Sequence, residues 1–111
     1  MDTKTLQEKV AKFRDMRDWK QFHNPKNLAT AIAIEASELQ ECFLWTSEKD
    51  SFEIAGQEAV HDELADIFNY ILLFAETAGI DLERAFLEKL EKNEMKYPVE
   101  KAKGSSQKYT E

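Results

Sequence analysis

Glycine and proline, the residues that interrupt helices and strands, are few and widely spaced in this sequence. This scarcity is the feature that most restricts the possible folds. The 111 residues contain three glycines and two prolines. Asn24 and Pro25 separate two segments, because the residue before a proline is biased away from helix and proline suits a first helical turn. Gly79 suits the end of a helix, and Pro98 prevents the last segment from continuing. The chain is therefore predicted to be all-α.

Apolar residues recur at spacings of three and four between these breaks, as in amphipathic helices. In the first segment this pattern places Leu6, Val10, Phe13 and Arg17 on one face. Ser47 is predicted to cap a partly helical connection, and Asp81 to cap the last helix. The four predicted helices cover about residues 3–20, 25–45, 57–78 and 82–96.

Four helices with short connections predict a four-helix bundle. A chain of this length is expected to complete its core by oligomerisation. Residues 1–98 form the predicted helical domain. Residues 99–111 have no apolar periodicity and are predicted to be a flexible tail that could close over a site as a lid.

The net charge of −7 excludes some classes of partner. It repels a phosphate backbone, and no stripe of lysine and arginine with interleaved aromatic residues is present, so nucleic-acid binding is not expected. The longest apolar runs are shorter than the ~18 residues needed to cross a bilayer, and no targeting segment precedes the first helix. We therefore expect a cytoplasmic protein without a membrane partner. A phosphate-bearing ligand would need a divalent cation to mediate its contact with so acidic a chain.

Two pairs of carboxylates fall inside the apolar arcs of two helices. Glu35 and Glu38 lie among the isoleucines and leucines of the second segment, and Glu63 and Asp66 repeat the arrangement in the third. An ExxE pair on a single helix is commonly a solvated surface feature or has Lys and Arg partners. Two such pairs on facing apolar stripes instead predict four converging carboxylates, whose mutual repulsion a metal ion would relieve. Ligands that are all oxygen favour Mg²⁺, with Mn²⁺ as a substitute, over zinc.

The fourth helix places Lys89 and Asn93 one turn apart on its apolar face. A cation and an amide in this arrangement can bind phosphate oxygens. Taken alone, the pair is better explained by a lysine that extends to solvent and an asparagine near a fraying helix end. The sequence has neither a glycine-rich phosphate loop nor a serine–histidine nucleophile pair, so no P-loop mechanism or covalent intermediate is indicated.

These motifs, taken in order, resemble the MazG-type all-α nucleoside triphosphate pyrophosphohydrolases. The resemblance rests on "EASE", "ELAD" and "KLEKNEMKYP", which contain the residues above. It extends to "RDWKQFHNPKNLA", "FLW" and "KGSSQKYTE", which resemble the compact branch that includes dCTP pyrophosphatase. The similarity covers nearly the whole chain.

The resemblance implies a Mg²⁺-dependent enzyme that cleaves a deoxynucleoside triphosphate between its α- and β-phosphates, in nucleotide-pool cleansing. It also implies that the four carboxylates hold the metal, that Lys89 and Asn93 bind phosphate, and that the enzyme is a homodimer or homotetramer. A preference for dCTP is expected only from the resemblance. The residues matching the region around the base and the rest of the site are His23, Trp45, Tyr70, Trp19 and Phe22. The alternatives are that His23 is a loop histidine and that Trp45 is a core or interface residue.

In this chemistry a water molecule attacks the α-phosphorus, and Glu38 or Glu35 accepts its proton.

Two other functional classes stay open. "EAVH" contains the ExxH motif of Glu58 and His61, which di-iron carboxylate bundles use, although His61 falls on the opposite face from Glu63. The other class is a non-catalytic helical module that binds metal and nucleotide without turnover.

Overall fold

The computed structural model describes residues 1–106, and it is helical throughout. No strand occurs among these residues. This confirms the predicted all-α fold and the four long helices. The elements are α1 (Thr3–Asp15), a 3₁₀ turn (Lys20–Phe22), α2 (Pro25–Glu41), α3 (Glu48–Ile54), α4 (Glu58–Ala78), α5 (Leu82–Lys96) and α6 (Val99–Ala102).

Side-chain caps fix where most of the helices begin. The Asn24 side chain accepts the backbone N–H of Asn27 at 2.9 Å, and Pro25 follows in the first turn of α2. Ser47 caps α3 and Asp81 caps α5, each through one backbone N–H at 3.1 Å, as predicted. Gly79 ends α4 in the left-handed conformation, with φ +69°. That conformation disfavours any residue with a Cβ atom, which explains glycine there.

Two helices end earlier than predicted because the chain turns in the left-handed region. α1 stops at Asp15, and Asp18 has φ +56° before the 3₁₀ turn. α2 stops at Glu41, and Trp45 has φ +62°. Aspartate tolerates this region through its short polar side chain, whereas for a bulky residue such as tryptophan it is uncommon. Neither break involves a glycine or proline, so the sequence pattern did not reveal them.

α4 is the central helix of the first compact unit, which covers Met1–Ile80, and both α1 and α2 pack against it. The fully buried apolar residues are few, and most come from the second half of α4. They are Leu28, Val60, Leu72, Leu73 and Ala75. A core this small agrees with the expectation that oligomerisation completes it, which stays a prediction.

The face that we predicted for α1 is rotated. Phe13 is 49% exposed and Arg17 is exposed, whereas Arg14 is 2% exposed. Arg14 follows Val10 by four residues, so it also lies on the side of α1 that packs against α4. Its guanidinium is paired with Glu76 of α4 and with Asp15. The pattern of apolar residues missed this because a charged residue occupies the buried position.

The second compact unit begins at Asp81 and contains α5 and α6. α5 has no fully buried residue, and Phe86 on its predicted apolar face is 65% exposed. α6 lies within the predicted tail, where we expected no helix. The remaining tail residues, 107–111, lie outside the described part, and both the domain limit at residue 98 and the lid stay predictions. None of the described helices is long and apolar enough to cross a membrane.

Candidate metal centre

The side chains of α2 and α4 form an acidic cluster where the two helices pack together. Glu35, Glu63 and Asp66 each offer a carboxylate oxygen, and these oxygens lie within 4.8 Å of one another. Glu63 and Asp66 are three residues apart and therefore share one face of α4. Asp66 is exposed while the two glutamates are half-buried, so the cluster opens to solvent on one side.

Glu38 lies beside these three residues. It is one turn from Glu35 on α2 and half-buried, and its carboxylate raises the pKa of both Glu35 and Glu63. All four carboxylates singled out in the sequence are therefore close together.

The electrostatics of the cluster disfavour four simultaneous negative charges. Burial, followed by the effect of Glu38, Asp66 and Glu63, raises the pKa of Glu35 to about 7. Burial and then Glu38 raise the pKa of Glu63, against a hydrogen bond with Glu35 that lowers it. Like charges in a partly desolvated site retain protons unless a cation enters.

Two buried oxygen atoms in the cluster lack a hydrogen-bond partner among the described residues. They are Oε2 of Glu35 and Oε2 of Glu63. Buried polar atoms without a partner are uncommon, since each forfeits its interaction with water. A cation bound between α2 and α4 would interact with both oxygens and reduce the repulsion. The residues present therefore fit a divalent metal ion.

The composition of the cluster restricts the metal. Within residues 1–106, this cluster of potential metal ligands contains carboxylates alone, without histidine or cysteine. Carboxylate oxygens suit Mg²⁺ and Mn²⁺, whereas zinc sites commonly include nitrogen or sulfur. His61 is exposed and lies apart from the cluster, at a cavity with Leu64 and Phe68. The di-iron hypothesis therefore gains no histidine ligand from the structure.

Tyr70 lies on α4 one turn beyond Asp66 and faces the same region. Burial raises the pKa of its hydroxyl, and Glu35, Asp66 and Glu38 raise it further. A neutral phenol beside three carboxylates can donate a hydrogen bond to them or to a ligand in the site. The structure thus brings Tyr70 to the acidic cluster.

His23 lies immediately before α2, near the other end of α4. Its Nδ1 atom is buried without a hydrogen-bond partner in the described part. Burial lowers the pKa of His23, Arg14 lowers it further, and Glu76 raises it. α2 and α4 are thus antiparallel, with His23 beside Glu76. At 1.5 Å per residue, Glu76 lies ~15 Å along the helix axis from Asp66.

The other aromatic residues predicted near the site are on the surface. Trp19 is 46% exposed and makes an edge-to-face contact with Phe13, their ring centroids 5.9 Å apart. Phe22 is 62% exposed, and Trp45 is fully exposed. In the single chain the structure does not bring Trp45 to the acidic cluster.

Lys89 and Asn93 lie on α5 in the second compact unit, one turn apart. Lys89 is exposed and Asn93 is half-buried. The charge of Lys96, followed by that of Lys92, lowers the pKa of Lys89, which shows a local concentration of positive charge on this helix. Such a concentration favours anions.

A model of the MazG-like family matches residues 30–111. The chain is 39% identical to the rat (Rattus norvegicus) dCTP pyrophosphatase 1 and 37% identical to the human (Homo sapiens) one, in each case over 105 residues that cover 91% of this chain. These residues span 62% of the length of either relative. The structure resembles the crystal structure of a pyrophosphatase from Archaeoglobus fulgidus DSM 4304, with a TM-score of 0.81, 42% identity and coverage of 86% of this chain and 91% of that one.

Proposed function

The chain belongs to the MazG-like family, and from this premise we propose that it is a metal-dependent nucleoside triphosphate pyrophosphohydrolase. Its substrate would be a deoxynucleoside triphosphate, cleaved between the α- and β-phosphates to the monophosphate and pyrophosphate. The observation that carries the proposal is the acidic cluster with its two buried, unpartnered glutamate oxygens. The names of the rat and human relatives support dCTP as the favoured substrate.

Mg²⁺ is the proposed cofactor, with Mn²⁺ as a substitute. Glu35, Glu63 and Asp66 would hold it, and Glu38 is near enough to complete the set. When bound, the ion would neutralise phosphate charge and polarise the phosphorus that is attacked. A cation held by the four carboxylates would also explain how so acidic a chain can accept a polyanionic substrate.

Glu38 and Glu35 are the proposed catalytic residues. In the proposed step, a water oxygen forms a bond to the α-phosphorus while the bond from that phosphorus to the α,β-bridging oxygen breaks. One of the two carboxylates accepts the water proton, and pyrophosphate leaves with the bridging oxygen.

Substrate binding is assigned to two further groups of residues. Lys89 and Asn93 would bind phosphate oxygens, in keeping with the effect of Lys96 and Lys92 on Lys89. The lid role of the tail remains part of the proposal. The base would contact His23, with an aromatic surface to stack on. The proposed aromatic residues around it are Trp19, Phe22 and Tyr70, with Trp45 contributed by a second copy of the chain, because His23 precedes α2 and Trp45 follows it.

A homodimer or homotetramer is the proposed assembly. Leu64 and Phe68 on α4 are 58% and 42% exposed, and with Ile67 and Ile71 they border an apolar cavity of about 540 Å³. Exposed apolar surface of this kind commonly marks a protein interface, and a second copy of the chain is the proposed partner. The cytoplasmic location stays a prediction from the sequence.

The proposed function is tested by measuring pyrophosphate release from a panel of deoxynucleoside triphosphates, with Mg²⁺ and with EDTA. We expect metal-dependent release, strongest from dCTP, that Glu38→Gln reduces by at least 10²-fold, within the range of general-base contributions. Glu41→Gln is the matched control, because Glu41 is an exposed carboxylate at the end of the same helix. Nucleotide-dependent thermal stabilisation without any release would instead favour the non-catalytic module, and bound iron would favour the di-iron class.

A further inference from the structure

Arg14 is a buried cation that the proposed chemistry does not use. It is 2% exposed, and its guanidinium donates hydrogen bonds to Asp15 at 2.9 Å and to Glu76 of α4. The pair with Glu76 joins positions 62 residues apart in the chain. Even a paired buried charge often adds little net stability, because desolvation offsets the attraction, so its presence calls for a reason besides packing.

The backbone of Arg14 also holds the turn that leads to His23. Its carbonyl oxygen accepts the N–H of Arg17 at 3.2 Å and that of Trp19 at 3.1 Å. The 3₁₀ turn follows directly, and the N–H of His23 bonds to the carbonyl of Lys20 at 3.0 Å. Arg14 therefore connects α4 to the start of the segment that carries His23.

The side chain of His23 lies within the electrostatic reach of this pair. The charged groups that act on its imidazole are Arg14 from α1 and Glu76 from α4, and they act in opposite directions. Burial and Arg14 both disfavour the imidazolium ion. The Nδ1 atom of His23 is buried and has no protein partner among the described residues, so no described protein group fixes this nitrogen as a donor or an acceptor.

We infer that the buried Arg14–Glu76 pair is a positioning element that presents His23 as a neutral imidazole for recognition of the base. The contact between His23 and the base rests on the proposed function, whereas the effect of the pair on His23 does not. Arg14 and Glu76 touch neither substrate nor metal in this inference. They act through His23 alone.

The charge state of His23 decides which bases it can recognise. A neutral imidazole has one acceptor nitrogen, which can accept a hydrogen bond from the exocyclic amine of cytosine or adenine. An imidazolium ion has only donors and would instead favour the carbonyl oxygen that uracil or thymine presents at the corresponding position. Burial and then Arg14 shift His23 toward the neutral form, which favours amino bases.

The test is an NMR titration of His23 in the full chain, without metal, for the wild type and two variants. Arg14→Gln removes the charge that opposes protonation, so the pKa of His23 should rise. Glu76→Gln removes the charge that favours protonation, so the pKa should fall. The exposed His61 provides an internal reference in every spectrum. A purely structural role predicts instead that both variants loosen the site and raise the pKa, since burial lowers it.

Controls and outcomes follow from the same arrangement. Arg14→Lys keeps the charge and should leave the pKa of His23 low, and Arg17→Gln removes an exposed arginine and should not change it. If Arg14→Gln does not fold, Glu76→Gln still distinguishes the two explanations. Loosening of the site would raise the pKa of His23, whereas loss of the Glu76 charge would lower it. Shifts of the same sign in both glutamine variants, or no shift in either, would overturn the inference.

A kinetic measurement tests the link to base choice. In Arg14→Gln, the ratio of KM for dCTP to KM for dUTP should rise by about fivefold as the pH falls from 8 to 6, which is the worth of one hydrogen bond. In the wild type this ratio should change less, because the pKa of His23 is lower there. A constant ratio in the variant, despite the expected pKa shift, would refute the role in base choice. Absence of turnover in the wild type would refute the proposed function and leave the NMR result intact.

Discussion

Glu35 on α2 and Glu63 on α4 approach each other with carboxylate oxygens within 4.8 Å, and each keeps one buried oxygen without a hydrogen-bond partner in residues 1–106. Two helices that pack side by side usually avoid facing like charges, because repulsion weakens the contact. Here the repulsion lies where the two helices meet. The metal-free chain therefore carries a local electrostatic cost that a bound cation would remove, and this cost leads to the first predictions.

Replacing Glu35 by glutamine should stabilise the metal-free protein and weaken metal binding. The amide keeps the shape of the side chain and removes one of the repelling charges. We expect the free energy of unfolding in EDTA at pH 8 to rise by roughly 1 kcal/mol, after allowing for solvent screening. Urea unfolding measures the first effect, and calorimetric titration with Mg²⁺ the second. Glu41→Gln should change neither, and a destabilised Glu35→Gln protein would contradict the assignment.

The stability of the metal-free protein should fall as the pH rises from about 4.5 to about 7. Glu35 has a pKa of about 7 in the folded state against an ordinary value of 4.5. The folded chain therefore binds a proton more tightly than the unfolded chain, so this contribution is fully present below pH 4.5 and is lost as the pH passes 7. The raised pKa of Glu63 acts in the same direction. Urea midpoints in EDTA at pH 5 and pH 8 should show this loss, and Glu35→Gln should reduce it.

Metal binding should have the opposite pH dependence. Mg²⁺ competes with protons for the same carboxylates, so its affinity should rise as the pH increases from 6 to 8. Thermal stabilisation by a fixed concentration of Mg²⁺ should increase over this range and level off above the pKa of Glu35. Stabilisation that is equal at pH 6 and pH 8 would place the metal elsewhere.

Replacing Glu76 should destabilise the protein more than replacing its partner Arg14. Glu76→Ala leaves Arg14, which is 2% exposed, with Asp15 as its remaining partner, whereas Arg14→Met leaves a carboxylate that is 31% exposed. An uncompensated buried charge costs more free energy than one that water reaches. We therefore expect the free energy of unfolding to fall by about 3 kcal/mol in Glu76→Ala and by about 1 kcal/mol in Arg14→Met. Chemical unfolding of the two variants in parallel measures the difference. Equal losses would mean that both charges are equally solvated.

Gly79→Ala should cost about 1 kcal/mol through backbone strain alone. A Cβ atom at this position would meet nothing within 4 Å, so the loss cannot come from a clash, but φ is +69°. Gly56 provides the matched control, because a Cβ atom there makes an ordinary contact at 3.4 Å and its φ is not positive. Gly56→Ala should therefore be nearly neutral. Thermal unfolding of both variants tests the prediction, which fails if the two losses are the same.

The sequence was sufficient to predict the features that depend on local chemistry. Ser47, Gly79 and Asp81 act at the helix ends as expected, and the spacing of Glu63 and Asp66 placed both on the face that meets α2. It was not sufficient for features that depend on tertiary contacts. The partner of Arg14 is 62 residues away, so no local pattern could identify Glu76. The left-handed turns at Asp18 and Trp45 likewise lack a glycine to mark them.

α4 carries Glu63 and Asp66 near its first turns and Glu76 in its last turn, with an uninterrupted helix between them. This helix therefore fixes both the distance and the rotation between the acidic cluster and Glu76. Inserting one residue between positions 67 and 75 would shift Glu76 by ~1.5 Å along the axis and rotate it by ~100° relative to Glu63 and Asp66. In the proposed enzyme, substitutions can change the catalytic residues near the phosphates and, separately, the residues that recognise the base. Their separation can change only if the length of this helix changes.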